Sequence, residues 1–119
     1  MPESNANMDV RRGDATASII DIQGEVNAFA EDALMDAYAL ASGQGARNII
    51  LNFRDLDYMN SSGIGLLVTL LIRANRQGQR LLAYGLSDHY RHVFELTRLD
   101  EAIPIYPSET EALATARAA

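Results

Sequence analysis

Short apolar runs recur along the chain between Gly, Pro and polar clusters, and their spacing predicts five strands and four helices. Residues 8–12 read as a short edge strand, followed by a turn at Gly13-Asp14. Residues 15–23 alternate, with Ile19 on one face and Ile20 and Ile22 on the other, which predicts a central strand that Gly24 ends. Residues 30–42 form a helix in which Ala30, Leu34, Ala37, Tyr38 and Ala41 share a face; Glu31 and Asp32 complement its dipole, and Gly43 and Gly45 stop it. Residues 48–53 are a compact apolar strand, and a polar loop is expected after them. Residues 62–77 then read as a helix apolar almost all round its first three turns, capped by Ser61 or Ser62 and ended by Gly78. A strand over 80–84 leads to an amphipathic helix over 87–96, with Ser87 as its cap and Tyr90, Val93, Phe94 and Leu96 as its apolar side. A short strand over 103–106 is limited by Pro104 and Pro107. Ser108 caps a last helix, with Glu111 placed to complete a capping box.

The order β-β-α-β-α-β-α-β-α implies an α/β domain: a mixed central sheet of four to five strands with about four helices packed on it. The 119 residues suffice for one such domain, taken as 8–119, with 1–7 as a polar, frayed N-terminus. Composition narrows the chemistry more than the fold. Cys is absent, which excludes disulfides and thiolate metal sites. A net charge of −6 argues against a nucleic-acid partner and suits a partner with a basic face. All ten cationic residues are Arg. The first twelve residues lack the apolar core of a signal peptide, and the longest apolar run, 64–72, is too short to cross a bilayer, so the cytoplasm is the expected location.

The stretch with the richest chemistry is YMNSSGIGLL, residues 58–67. Gly63-Ile64-Gly65 is half of a dinucleotide fingerprint, but Val68 fills the third position, no carboxylate closes the next strand, and the expected loop is too long for a tight turn. A phosphate loop would need a Lys, and the chain has none. Ser61 lacks the G-x-S-x-G elbow of a nucleophile. Asp88, His89 and His92 have helical spacing for a metal pair, but read more simply as a solvated face, and Asp21, Glu25, Asp55 and Asp57 do not cluster as a cation site would. No cofactor is expected. What remains is a helix start with open backbone, two serines and two glycines, favourable to a dianion. A phosphate carried by Ser61 would be stabilised there and would recharge the surface without breaking the fold.

Asn60-Ser61-Ser62-Gly63-Ile64-Gly65 resembles the D-S-S-G-[LI]-G motif of the STAS domain (sulfate transporter and anti-sigma factor antagonist). Gly24-Glu25-Val26-Asn27 resembles that family's G-E-[LI]-D, residues 48–53 its buried strand, and residues 92–99 its R-L-F-E-L-S-G-L stretch. The resemblance implies the STAS fold and an anti-sigma factor antagonist, a binding protein rather than an enzyme. Such a protein frees a sigma factor by binding an anti-sigma factor that is also a serine kinase. It implies phosphorylation of Ser61 by that kinase, reversal by a metal-dependent serine phosphatase, and a site shaped by Asn60, Ser62, Gly63 and Gly65. The partner would meet Gly24, Glu25, Val26, Asn27, Tyr58, Met59, Ile64, Leu66, Leu67 and Leu70, with no nucleic acid or membrane, and the chain itself a monomer or weak dimer. The alternative within the family is a scaffold or a subunit of a signalling or lipid-transport assembly that does not switch. Two positions depart from the pattern: Asn27 and Asn60 stand where the motifs have aspartate, keeping the shape and one acceptor but not the charge.

Overall fold

A computed structural model describes residues 5–43 and 45–118. Five strands, β1 (Asn7–Arg12), β2 (Ala17–Val26), β3 (Asn48–Met59), β4 (Arg80–Tyr84) and β5 (Ile105–Tyr106), form one sheet whose spatial order is the order of the chain. β1 runs antiparallel to β2, and β2 to β5 are parallel. The helices are α1 (Glu31–Ser42), α2 (Ser61–Arg76), α3 (Asp88–Leu96), the single turn α4 (Leu99–Ala102) and α5 (Glu109–Ala118).

Parallel neighbours joined in sequence by crossovers of one hand must carry their helices on one face. Accordingly Leu34 and Tyr38 of α1, Leu66, Leu67 and Leu70 of α2, Tyr90 and Phe94 of α3 and Leu99 of α4 share a core with Ile20, Ile22, Ile49 and Leu51 of the sheet. α5, the last described element, lies on the other face. Its Ala112 and Ala116 lie flat on Ile19, Ile50, Leu82 and Tyr84. Ile19 and Ile20 thus serve opposite cores, as expected for a central strand. Phe53 meets Phe94 edge to face at 6.2 Å between centroids.

Three features differ from the sequence expectation. Gly24 does not end β2; with φ +85 it sits in the strand at a register shift, its Cα closed in by the backbone carbonyl of Asn5. The polar loop after Phe53 is strand as well. β3 continues to Met59 because it carries two extra residues relative to β2: the pairing moves from Asp21↔Asn52 to Gln23↔Asp55, and from Gly24↔Leu56 to Glu25↔Tyr58. Each bulge advances the strand by one residue, so Phe53, Leu56 and Met59, three apart rather than two, all turn toward the same core. Finally, the last strand is confined to Ile105–Tyr106 rather than 103–106, and the turn α4 before it has no counterpart among the predicted elements. Of the segment expected to be frayed, residues 1–4 lie outside the described residues, while Ala6 packs against the core and Asn7 opens β1. No described helix is long and apolar enough to cross a membrane.

Candidate functional site

With β3 reaching Met59, one residue connects it to α2. Asn60 has extended backbone (φ −90, ψ −177), and its Oδ1 accepts the N–H of Gly63 at 2.9 Å. Its own N–H donates to the carbonyl of Val26 at 3.2 Å, tying the helix start to the end of β2. Asn60 is therefore the cap, and the expectation that Ser61 or Ser62 fills that role is corrected. The serines are the first and second helical residues, exposed, and neither hydroxyl has a side-chain hydrogen bond among the described residues. Their location leaves both hydroxyls at the positive end of a 16-residue helix.

The two motif glycines do different work. Gly63 is buried, and a Cβ there would collide with the carbonyl oxygen of Val26 and, at 2.7 Å, with Cγ of Met59. Gly65, half a turn on, would place a Cβ in open space. The expectation that both glycines bare the first turn holds for Gly65 only.

The end of β2 repeats the device of the β3 end. Asn27 is extended (φ −135, ψ −169), and its Oδ1 accepts the N–H of Phe29 at 2.9 Å, opening a 3-10 turn over Ala28–Ala30. That turn lifts Phe29 into solvent, 57% exposed. Near the end of β3, Tyr58 is 54% exposed. The end of β3 is pinned from α3: the N–H of Met59 donates to the buried Tyr90 hydroxyl at 2.8 Å. Sequence reasoning placed Tyr90 only on an apolar face; its hydroxyl, which needs a partner when buried, was the available signal.

The outer side of α2 also differs from expectation. Leu66, Leu67 and Leu70 are buried in the core, as are Val26 and Met59, so their side chains do not reach a docking surface. Ile64 is half-buried. The exposed positions of α2 include Ser61, Gly65, Val68 and Ile72, spaced four, three and four residues apart and so on one helical face. Val68 is 41% and Ile72 48% exposed, and sequence reasoning missed both. Ser61, Gly65, Val68 and Ile72 thus form an outward stripe on α2 with Ser61 at its polar end, while Phe29 and Tyr58 are exposed at the ends of β2 and β3, where Glu25 and Asp57 are exposed as well.

The other candidate chemistries do not assemble. Asp21 is committed elsewhere: its carboxylate receives Arg11 Nε at 2.6 Å and Asn52 Nδ2 at 2.7 Å. Arg11 also donates to Glu109 of α5 at 2.6 Å, where the Tyr84 hydroxyl donates to the same oxygen at 2.6 Å. Hydrogen bonds from Arg11 hold both carboxyls below the usual carboxylate range, while burial first, and then Glu109, push the Tyr84 phenol up. His89 and His92 are exposed on α3, with His92 3.8 Å from Glu95. Among the described residues no three His, Asp or Glu side chains are placed to hold a metal. The surface grooves near Ile105 and near Ser42 have no lining residue in common with the Ser61 surface.

Comparison with known proteins places this geometry. A family model described as the STAS domain matches residues 5–112. The anti-sigma-B factor antagonist of Bacillus subtilis (strain 168) is 28% identical over 101 residues, covering 85% of this chain and 91% of the relative. That of Staphylococcus aureus (strain NCTC 8325 / PS 47) is 28% identical over 86 residues, covering 72% and 80%. Among solved structures, the anti-sigma factor antagonist SpoIIAA in its unphosphorylated form matches with a TM-score of 0.74 at 23% identity, over 95% of this chain and 100% of that one. SpoIIAA of Bacillus in its phosphorylated form matches with a TM-score of 0.70 at 24% identity, over 92% and 98%. At these identities the structural likeness speaks to the fold.

Proposed function

Because the chain belongs to the STAS domain family, we propose that it is an anti-sigma factor antagonist, a binding protein whose docking surface is switched by phosphorylation of Ser61. The partner is an anti-sigma factor that is also a serine kinase, and binding it releases a sigma factor for transcription. The observation that carries this reading is the state of Ser61. Its hydroxyl is exposed, relieved of capping by Asn60, and set at the end of the apolar stripe that continues through Gly65, Val68 and Ile72.

The chemistry follows from that placement. The kinase transfers the γ-phosphoryl group of ATP to Ser61 Oγ; the hydroxyl proton is lost and ADP leaves. A metal-dependent phosphatase restores the serine by hydrolysis, releasing inorganic phosphate. The phosphate brings up to two negative charges. In the free protein the start of α2 favours an anion, so the fold tolerates it. In the complex the same charge lies unmatched within a desolvated interface, at a cost of about 3–5 kcal/mol, enough to separate the partners. The reading includes a cytoplasmic location, no nucleic acid or membrane, and a monomer or weak dimer in solution, which light scattering after size exclusion checks.

The direct test incubates the protein with the kinase-type anti-sigma factor of its own genome and ATP. One phosphate should be added, and Ser61→Ala should add none. An unchanged intact mass beside a kinase that phosphorylates another substrate overturns the switch.

A further inference from the structure

The asparagines beside Ser61 carry more than their caps require. A cap needs one acceptor, and Oδ1 supplies it to Phe29 from Asn27 and to Gly63 from Asn60. An amide N–H must meet an oxygen, so the caps also fix which way each side-chain amide is turned. The Nδ2 group of each is left over, with no partner among the described residues. The residues are neighbours: Val26 and Met59 pair at the ends of β2 and β3, and the N–H of Asn60 reaches the carbonyl of Val26. Both are half-buried.

Aspartate caps as well as asparagine does. It would put a negative oxygen where each Nδ2 now stands. The choice of asparagine is therefore nearly silent in the fold and is read by whatever docks. Exposed Glu25 and Asp57 precede Asn27 and Asn60 by two and three residues, so the asparagines are neutral, donating positions flanked along the chain by an acidic rim.

We propose that Asn27 and Asn60 are specificity-determining residues, which select an anti-sigma factor presenting hydrogen-bond acceptors, not Arg or Lys, opposite the ends of β2 and β3. A cation brought to this point loses water and finds amide hydrogens in place of a counter-charge. A carbonyl or carboxylate acceptor finds two donors. The acidic rim speeds encounter with any basic partner without discriminating at the centre. The assignment rests on the function proposed above.

The test measures the Kd of the wild type and of N27D, N60D and the double variant for each purified kinase-type anti-sigma factor encoded in the same genome, with ADP in place of ATP so that no phosphate is transferred. The double variant should melt within a few degrees of the wild type. It should bind the preferred kinase about tenfold or more weakly, and its preference should move toward kinases with Arg or Lys at the contact. Equal Kd values for wild type and double variant across all the kinases would overturn the assignment. Should the wild type bind none of them, the antagonist reading itself fails and the assignment falls with it.

Discussion

On the α5 side of the sheet the polar side chains answer one another, while around Ser61 they are left half-answered. Arg11, Asp21, Asn52, Tyr84 and Glu109 come from four strands and a helix and hydrogen-bond one another in a closed network. Near Ser61 the capping oxygens are used and, among the described residues, the outward groups are not: two serine hydroxyls, two amide Nδ2 groups and the open flank of Gly65. Both regions lie beside strands β2 and β3 of one rigid sheet. The difference is that one region is completed by folding, and the other presents surface that folding does not need.

The widest separation lies across α2. Its inner side is core, its outer side is not, although both are apolar. Leu70→Ala should lower stability by about 2–5 kcal/mol, the range for removing a fully buried leucine. Gly63→Ala should cost about 1–3 kcal/mol, because the added methyl meets the Val26 carbonyl. Val68→Asp on the outer side should change stability by no more than about 0.5 kcal/mol and yet weaken binding of the anti-sigma factor. Urea midpoints of these variants check the ordering; a Val68→Asp protein that unfolds as readily as Leu70→Ala would erase the distinction between the two sides.

The closed network gives the next effect. Arg11→Met should cost about 1–2 kcal/mol at pH 7, since the ion pairs are partly exposed and solvent screens them. The sign with pH follows from the carboxylates. Asp21 and Glu109 are held below their ordinary values, chiefly by hydrogen bonds from Arg11, so their contribution is present above about pH 4 and is lost as pH falls below it. The gap between wild type and Arg11→Met should therefore be largest at neutral pH and close toward pH 2, and 1 M salt should narrow it at pH 7. A gap independent of pH from 7 to 2 would show that Arg11 acts by packing alone.

Local periodicity made much of this fold legible. The buried face of α1, the double-sided β2 and the caps at Ser87 and Ser108 follow from spacing within a few residues, and they stand as read. Beyond Phe53 β3 is not legible locally, because two bulges turn a period of two into a period of three, which mimics a loop. The Arg11–Glu109 contact spans 98 positions and leaves no local trace. At the site, Asn60, Ser61 and Ser62 are all competent caps, and the decision is made by the Val26 carbonyl, a tertiary partner. The core role of Leu66, Leu67 and Leu70 and the outward role of Val68 and Ile72 could not be told apart by hydrophobicity, because both sets are apolar.

Gly65 gives the smallest effect and the sharpest contrast. Glycine inside a helix costs about 0.5–1 kcal/mol relative to alanine, since it loses more backbone freedom on folding. Gly63 has a reason within the fold to bear that cost; Gly65 has none, because nothing lies within 4 Å of where its Cβ would be. Gly65→Ala should therefore raise stability by about 0.5–1 kcal/mol, read as a higher urea midpoint at unchanged slope. The same methyl stands on the outward stripe one turn from Ser61, where a partner's backbone can approach a glycine closely. Binding to the anti-sigma factor should weaken as stability rises. A variant that is more stable and binds unchanged would mean that Gly65 serves neither the fold nor the partner, and the stripe would then begin at Val68 rather than at Ser61.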